Sequence, residues 1–321
     1  MSAALEIEEL CKTFGGGRSW AGLGKPLPAV HAVQDVSVTV PKGETLGIVG
    51  ESGCGKSTLA RMLVGLLKPS TGAIRMEGRD LSDQTGDPAS FGKLIQYVFQ
   101  DPISSLNPRK TIRQILEAPL RHLLGLDAAA RKARIAELFD AVNLRPEFLD
   151  RYPHEFSGGQ AQRIGIARAL AASPRILVLD EPVSALDVSV QAQVLNLLAD
   201  LRKEFDLTYL FISHDLAVVE AVSDRVAVLY FGRVVEIGRA EAIFARPRHP
   251  YTELLARSAP QVGKPLGGGE DETAELPDPL NPPPGCAFAA RCPRATSECR
   301  AAPPALREIA PGHSAACLHP L

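Results

Sequence analysis

The segment Gly50-Glu51-Ser52-Gly53-Cys54-Gly55-Lys56-Ser57 fills every fixed position of the pattern G-x-x-x-x-G-K-[ST]. It constrains the fold because such a loop works only between a strand and a helix. Both flanks are present. Glu44-Thr45-Leu46-Gly47-Ile48-Val49 predicts a short buried strand entering the loop, and Ser57 to Leu67 predicts a helix leaving it. The glycines let the backbone curl so that successive N–H groups face the phosphates of a nucleoside triphosphate. Lys56 adds a compact positive charge, Ser57 offers a hydroxyl to Mg²⁺, and Thr58 completes the set Gly50–Thr58. A helix N-terminus at the same place contributes its partial positive charge.

Bulk properties exclude several classes. Over 321 residues, 35 Lys and Arg stand against 37 Asp and Glu, a net charge of −2 that gives no basic field for nucleic acid. No apolar run approaches the ~18 residues needed to cross a bilayer. The start Met1-Ser2-Ala3-Ala4-Leu5-Glu6 has no signal-peptide character, so a cytoplasmic location is expected, with any membrane role exercised through a partner. Six cysteines in a chain of this size do not make a disulfide scaffold.

Strands are expected over residues 5–14 and 30–49, joined by a Gly/Pro-rich loop from Gly15 to Ala29. Apolar runs then alternate with helical patterns, which predicts an α/β domain around a partly parallel sheet. Ile135, Leu138, Phe139 and Val142 recur at helical spacing within 128–143, with Arg131, Lys132 and Arg134 as a solvated face. A second helix over 190–205 turns Val194, Leu197, Leu198 and Leu201 inward, and strands follow at 208–213 and 225–230. From Pro260 to Gly285 the composition shifts to Pro, Gly and acid, a linker or loop.

Further segments carry chemistry. Ile176-Leu177-Val178-Leu179-Asp180-Glu181 is an apolar strand ending in two acids, one able to hold Mg²⁺ and one able to orient an attacking water. Phe156-Ser157-Gly158-Gly159-Gln160 precedes a helix over about 161–172, with Ser157 as N-cap and two glycines that bare backbone N–H groups, a second anion-binding end. At this point the chain resembles the ATP-binding cassette (ABC) family, whose signature is Leu-Ser-Gly-Gly-Gln; Phe156 here takes the first place. The resemblance extends in order over about residues 5–245. Gln100 sits where the family has its Q-loop glutamine, Ser184-Ala185-Leu186-Asp187 is similar to the D-loop, and His214 is similar to the switch histidine. Phe14 is placed like the aromatic that stacks on adenine, whereas Trp20 reads as a packing or contact residue.

The resemblance implies a P-loop fold of the ABC type, a mixed sheet core with an antiparallel β subdomain and an α-helical subdomain near residues 101–172. The cassette spans 1–246, and 247–321 is an extension. It implies that Lys56 and the loop hold ATP, that Ser57, Gln100 and Asp180 organise Mg²⁺, and that Glu181 and His214 are catalytic. Ser157, Gly158, Gly159 and Gln160 would act in trans on ATP held by a second cassette ATPase, and Asp187 would serve in the D-loop. Cys54 is expected to be a spacer that thiol reagents reach when ATP is absent.

Two stretches narrow the family. Gln100-Asp101-Pro102-Ile103-Ser104-Ser105-Leu106-Asn107-Pro108-Arg109 and Arg248-His249-Pro250-Tyr251-Thr252, with a Pro/Cys-rich tail, resemble ATPases of oligopeptide and dipeptide importers. That implies a heterodimer with a related ATPase, peripheral at the cytoplasmic face of the inner membrane beneath two transmembrane permeases, which are fed by an extracytoplasmic solute-binding protein. The same chassis carries nickel, glutathione or other small solutes, and soluble cassette ATPases form a remoter alternative. Cys286, Cys292, Cys299 and Cys317 could hold a [4Fe–4S] cluster or zinc, since both accept four sulfur ligands. The tail's resemblance favours the cluster.

Overall fold

Thr45–Val49 (β3) is the strand that enters the phosphate loop, and every residue of it is buried, as expected of a strand covered on both faces. The computed structural model describes residues 2–16, 28–81, 91–258 and 277–321. The expected linker at 260–285 and the loop at 15–29 lie largely outside them, as does Trp20. The chain divides into two compact units: one of residues 1–6, 39–45 and 75–212, the other of residues 7–38, 46–74 and 213–321.

In the first unit Ile95–Val98 (β6), Ile176–Asp180 (β7) and Thr208–Ile212 (β8) run parallel, with Ile95 opposite Ile176 and Ile176 opposite Thr208. Four helices of this unit cover the segment between and around them. Ile112–His122 (α2) opens on a capping box between Thr111 and Gln114, Ala128–Ala141 (α3) on Asp127, Gly158–Leu170 (α4) on Ser157, and Val188–Glu204 (α5) on Asp187. The expected inward sets are buried: Ile135, Leu138, Phe139 and Val142, then Val194, Leu197, Leu198 and Leu201.

In the second unit β3 lies parallel to Arg225–Tyr230 (β9), which turns through Phe231 and Gly232, both at positive φ, into the antiparallel Arg233–Arg239 (β10). The sheet is therefore mixed. It continues into the tail, because His313–Ala315 (β12) pairs with β10, and Arg307–Ala310 (β11) with β12. The tail thus docks by backbone pairing. A buried charge reinforces it. Glu236 is fully buried: its Oε1 accepts from Arg248 N–H at 2.7 Å and lies 2.6 Å from His313 Nε2, and its Oε2 accepts from His249 N–H at 2.8 Å. A carboxylate held this way is satisfied; without those donors it would be strongly destabilising.

The strands Ala3–Gly15 (β1), Ala29–Pro41 (β2), Thr71–Met76 (β4) and Arg79–Asp80 (β5) form a separate sheet in the order β2-β1-β4-β5, antiparallel where β4 meets β5. The run 30–49 is two strands rather than one, broken where Gly43 takes φ 72°. The helix after the phosphate loop, Lys56–Leu63 (α1), stops short of Leu67, because Gly65 at φ 72° turns the chain away.

Candidate functional site

The loop Gly50–Ser57 has the backbone its sequence demands. Gly53 and Gly55 have φ of 79° and 106°, and a Cβ at Gly55 would lie 2.2 Å from the Ala32 carbonyl oxygen. Only glycine tolerates that combination. Gly55 stands at the N-terminus of α1, with no side-chain cap. The first N–H groups of such a helix have no acceptor within its own ladder, an arrangement suited to an anion. Lys56 is buried, and its ammonium donates to the carbonyls of Gly50 at 2.6 Å and Glu51 at 2.9 Å. The amine is thus drawn back over its own loop and held at a fixed point.

Cys54 corrects an expectation. It is 6% exposed, and burial pushes its thiol above the usual range despite the neighbouring Lys56 ammonium. A thiol that is both covered and protonated is a poor nucleophile. Cys54 fills space beneath the loop, its carbonyl accepting from Gly232 N–H at 2.9 Å.

In the first unit Gln100 Nε2 donates to Glu181 Oε2 at 2.9 Å. Glu181 has φ 49°, a left-handed conformation that a non-glycine residue adopts at a cost of about 1–3 kcal/mol. Its backbone N–H donates to Ile212 at 2.9 Å, which locks that conformation at the end of β7. Asp180, one residue earlier, is buried and accepts a short hydrogen bond from the Tyr97 hydroxyl. Ser157 and Gln160 use their side chains on each other's backbone: the Ser157 hydroxyl accepts from Gln160 N–H, and Gln160 Oε1 accepts from Ser157 N–H at 3.1 Å. Gly158 and Gly159 follow in the first turn, and a Cβ at Gly159 would meet Val190 at 2.4 Å. Asp187 caps α5, accepting from Val190 N–H at 3.0 Å and from the Ser189 hydroxyl at 2.7 Å.

In the second unit His214 is exposed just beyond β8, next to Asp215, which caps the helix Leu216–Val222. Phe14 is 42% exposed on β1, with the Lys12 ammonium 5.2 Å from its ring centre. That leaves an open aromatic face.

Cys286, Cys292, Cys299 and Cys317 line one cavity of about 20 Å³ together with His249 and His319. Burial first, and neighbouring thiols second, raise the Cys286 and Cys317 thiols. Among the described residues, however, no group of three or more His, Cys, Asp or Glu is placed to hold a metal ion, so the expected [4Fe–4S] or zinc centre is not formed by this geometry. Cys299 Sγ and the Thr296 hydroxyl lie 3.4 Å apart.

Sequence reasoning assigned no role to Tyr97, Tyr251 or Arg291. Tyr97 reaches Asp180, Tyr251 takes the Glu51 N–H at 2.9 Å, and Arg291 pairs with the Glu51 carboxylate. Residue type signals none of these, because each is made by a chain segment remote in sequence.

A family model described as ABC transporter matches residues 33–184, and one described as oligopeptide/dipeptide transporter, C-terminal region, matches residues 235–299. The oligopeptide transport ATP-binding protein AppF of Bacillus subtilis is 51% identical over 294 residues, covering 90% of this chain and 89% of its own. The dipeptide transport ATP-binding protein DppF of Haemophilus influenzae is 50% identical, with 90% and 89% covered. OppF of Salmonella typhimurium, an oligopeptide transport ATP-binding protein, is 46% identical over 98% of this chain and 95% of its own. Among solved structures, the dimeric ATP-binding cassette MJ0796 bound to ADP and Pi superposes with a TM-score of 0.63 at 28% identity, covering 74% of this chain and 98% of that one.

Proposed function

Because the chain belongs to the ATP-binding subunits of oligopeptide/dipeptide ABC transporters, we propose that it hydrolyses ATP to power uptake of dipeptides and oligopeptides through separate permease subunits. One observation carries the reading: a cassette model and an oligopeptide-transporter C-terminal model match successive parts of one chain. Among the described residues no helix is long and apolar enough to cross a membrane, in keeping with permeases on other chains.

The residues divide the work. Lys56 and the backbone N–H groups of Gly50–Thr58 hold the phosphates, and Phe14 covers adenine. The hydroxyl of Ser57, the amide oxygen of Gln100 and, through water, the Asp180 carboxylate are hard oxygen donors suited to Mg²⁺, which would neutralise charge on the β- and γ-phosphates. Glu181 polarises the attacking water while Gln100 holds its other oxygen, and the locked backbone at Glu181 supports that assignment. His214 contacts the γ-phosphate. Ser157, Gly158 and Gly159 act in trans on ATP held by a partner ATPase, the two glycines through their N–H groups, with Gln160 and Asp187 shaping the two helix starts. The cassette is residues 1–246, with its helical part at 101–172, and 247–321 is the importer-type extension. The assembly is a heterodimer of ATPases under two permeases at the cytoplasmic face of the inner membrane, served by an extracytoplasmic binding protein.

The four tail cysteines are an all-thiol donor set around one cavity, and this supports a structural [4Fe–4S] cluster, with zinc as its rival. Iron and sulfide content of anaerobically purified chain tests it. Absence of both iron and zinc sinks the idea. The importer assignment is tested by tagged purification from native membranes with mass spectrometry of what is retained. Two multi-span permeases and a different cassette ATPase are expected; ribosomes or DNA-repair factors without membrane proteins would overturn it.

A further inference from the structure

The first variable residue of the phosphate loop is held by the far end of the chain. Arg291 donates two parallel hydrogen bonds to the Glu51 carboxylate, Nη1 to Oε2 at 2.9 Å and Nη2 to Oε1 at 3.0 Å. This is the fork-to-fork geometry that makes arginine–carboxylate pairs both strong and directional. The two side chains are 14% and 26% exposed, so water screens the pair only in part. Tyr251 fixes the same residue from its backbone side, its hydroxyl accepting the Glu51 N–H.

Arg291 is itself tightly placed. Its guanidinium lies over the Phe288 ring, 5.7 Å from the centre. Its backbone N–H donates to the Phe288 carbonyl at 3.0 Å, in a turn begun by Ala289 N–H bonding to Cys286 at 3.0 Å. Phe288 is buried among the rings of Tyr230, Tyr251 and His249. The knuckle between the first two tail cysteines therefore aims one cation at the phosphate loop.

The physical need is clear. A loop that gathers a polyphosphate anion is a poor place for an unneutralised carboxylate, which would repel the ligand and could swing its side chain into the loop's donors. We propose that Arg291 is a positioning residue of the nucleotide site: it neutralises Glu51 and pins the entry of the phosphate loop, so that the C-terminal region sets the affinity for the triphosphate. The inference rests on the reading of residues 50–57 as the phosphate loop.

Binding of ATP and ADP to the purified full chain, followed by titration calorimetry, tests it. Arg291→Gln should weaken ATP about tenfold or more, and ADP less, because fewer phosphate charges then meet Glu51. The double variant Glu51→Gln/Arg291→Gln should bind ATP within about threefold of Glu51→Gln alone, since the charge Arg291 answers is gone. A merely structural staple would not be rescued in this way. ATP affinity within about twofold of native in Arg291→Gln, or a double variant that remains as weakened as Arg291→Gln, overturns the proposal. If Arg291→Gln does not fold, Arg291→Lys carries the test: it keeps the charge and loses the fork, so ATP should bind within about threefold of native, and a tenfold or greater loss despite the retained charge overturns neutralisation of Glu51 as the cause. Lys56→Ala separates the two levels of argument. It should abolish ATP binding, and retained binding would refute the phosphate-loop reading itself.

Discussion

Replacing Phe288 by Ala would remove the side chain on which the tail is seated. Phe288 is 2% exposed and meets Tyr230 edge-on with ring centres 5.4 Å apart, Tyr251 at 5.5 Å and His249 at 5.9 Å. Nothing nearby can collapse into the space easily, because Tyr251 is tied to Glu51 N–H and to His249, whose Nδ1 accepts the Tyr251 N–H at 3.1 Å. A buried Phe→Ala change costs about 3–5 kcal/mol from lost transfer energy and residual cavity. The aromatic contacts, about 0.5–1.5 kcal/mol each, place this site toward the upper end. The loss should appear first as local opening of the tail knuckle. Backbone amides of Cys286, Ala289 and Arg291 are hydrogen-bonded to Cys299, Cys286 and Phe288, and they report that opening directly. Hydrogen exchange at these amides should quicken by roughly 10²–10⁴-fold where native opening is local, at about 1.4 kcal/mol per tenfold. Phe288→Leu, which refills most of the volume, should cost less than about 1.5 kcal/mol. An acceleration below about fivefold in Phe288→Ala would mean that β10–β12 pairing, not the aromatic cluster, seats the tail, and the reasoning would fail.

Glu181→Gln should slow phosphate release by about 10²–10⁴ while ATP binding persists, and near-native hydrolysis would remove Glu181 from its role. Cys54 should react with maleimide far more slowly than a free thiol at neutral pH even without ATP, because burial keeps it covered and protonated; rapid modification seen by mass spectrometry would contradict the burial. Glu77, bridged by Lys42 at 2.9 Å and Arg175 at 2.7 Å, has its carboxyl held below the usual range, first by the hydrogen bond from Lys42. Its folded value lies below its unfolded one, so its contribution is present above about pH 4.5 and is lost as pH falls through the lower folded value. Glu77→Gln should flatten that part of the stability–pH profile, by less than about 1 kcal/mol for so exposed a pair, and an unchanged acid limb of the denaturation profile would rule the bridge out as a contributor.

Local patterns were legible wherever a short segment decides its own shape. Ser157 starts a helix because its side chain satisfies an N–H group three residues ahead. The apolar run before Asp180 is a buried strand because it has no polar face to offer water. The phosphate loop depends on Gly55, where φ 106° and the Ala32 carbonyl leave no room for a Cβ. Misjudged boundaries share a cause as well. Gly43 and Gly65 end elements by positive φ, which composition around residues 30–49 and 57–67 does not reveal.

Neighbouring residues suffice to specify the strand–loop–helix at Lys56, the acid pair Asp180–Glu181 and the capped glycines at 157–160, since each is a chemistry written over a few consecutive positions. Tertiary structure alone decided that Gln100 holds Glu181, that Tyr97 reaches Asp180, that Cys54 is covered, and that Arg291 meets Glu51 across 240 positions of chain. Such contacts depend on which distant surfaces the sheet brings together. No spacing rule links residues whose proximity is set by packing rather than by the local backbone.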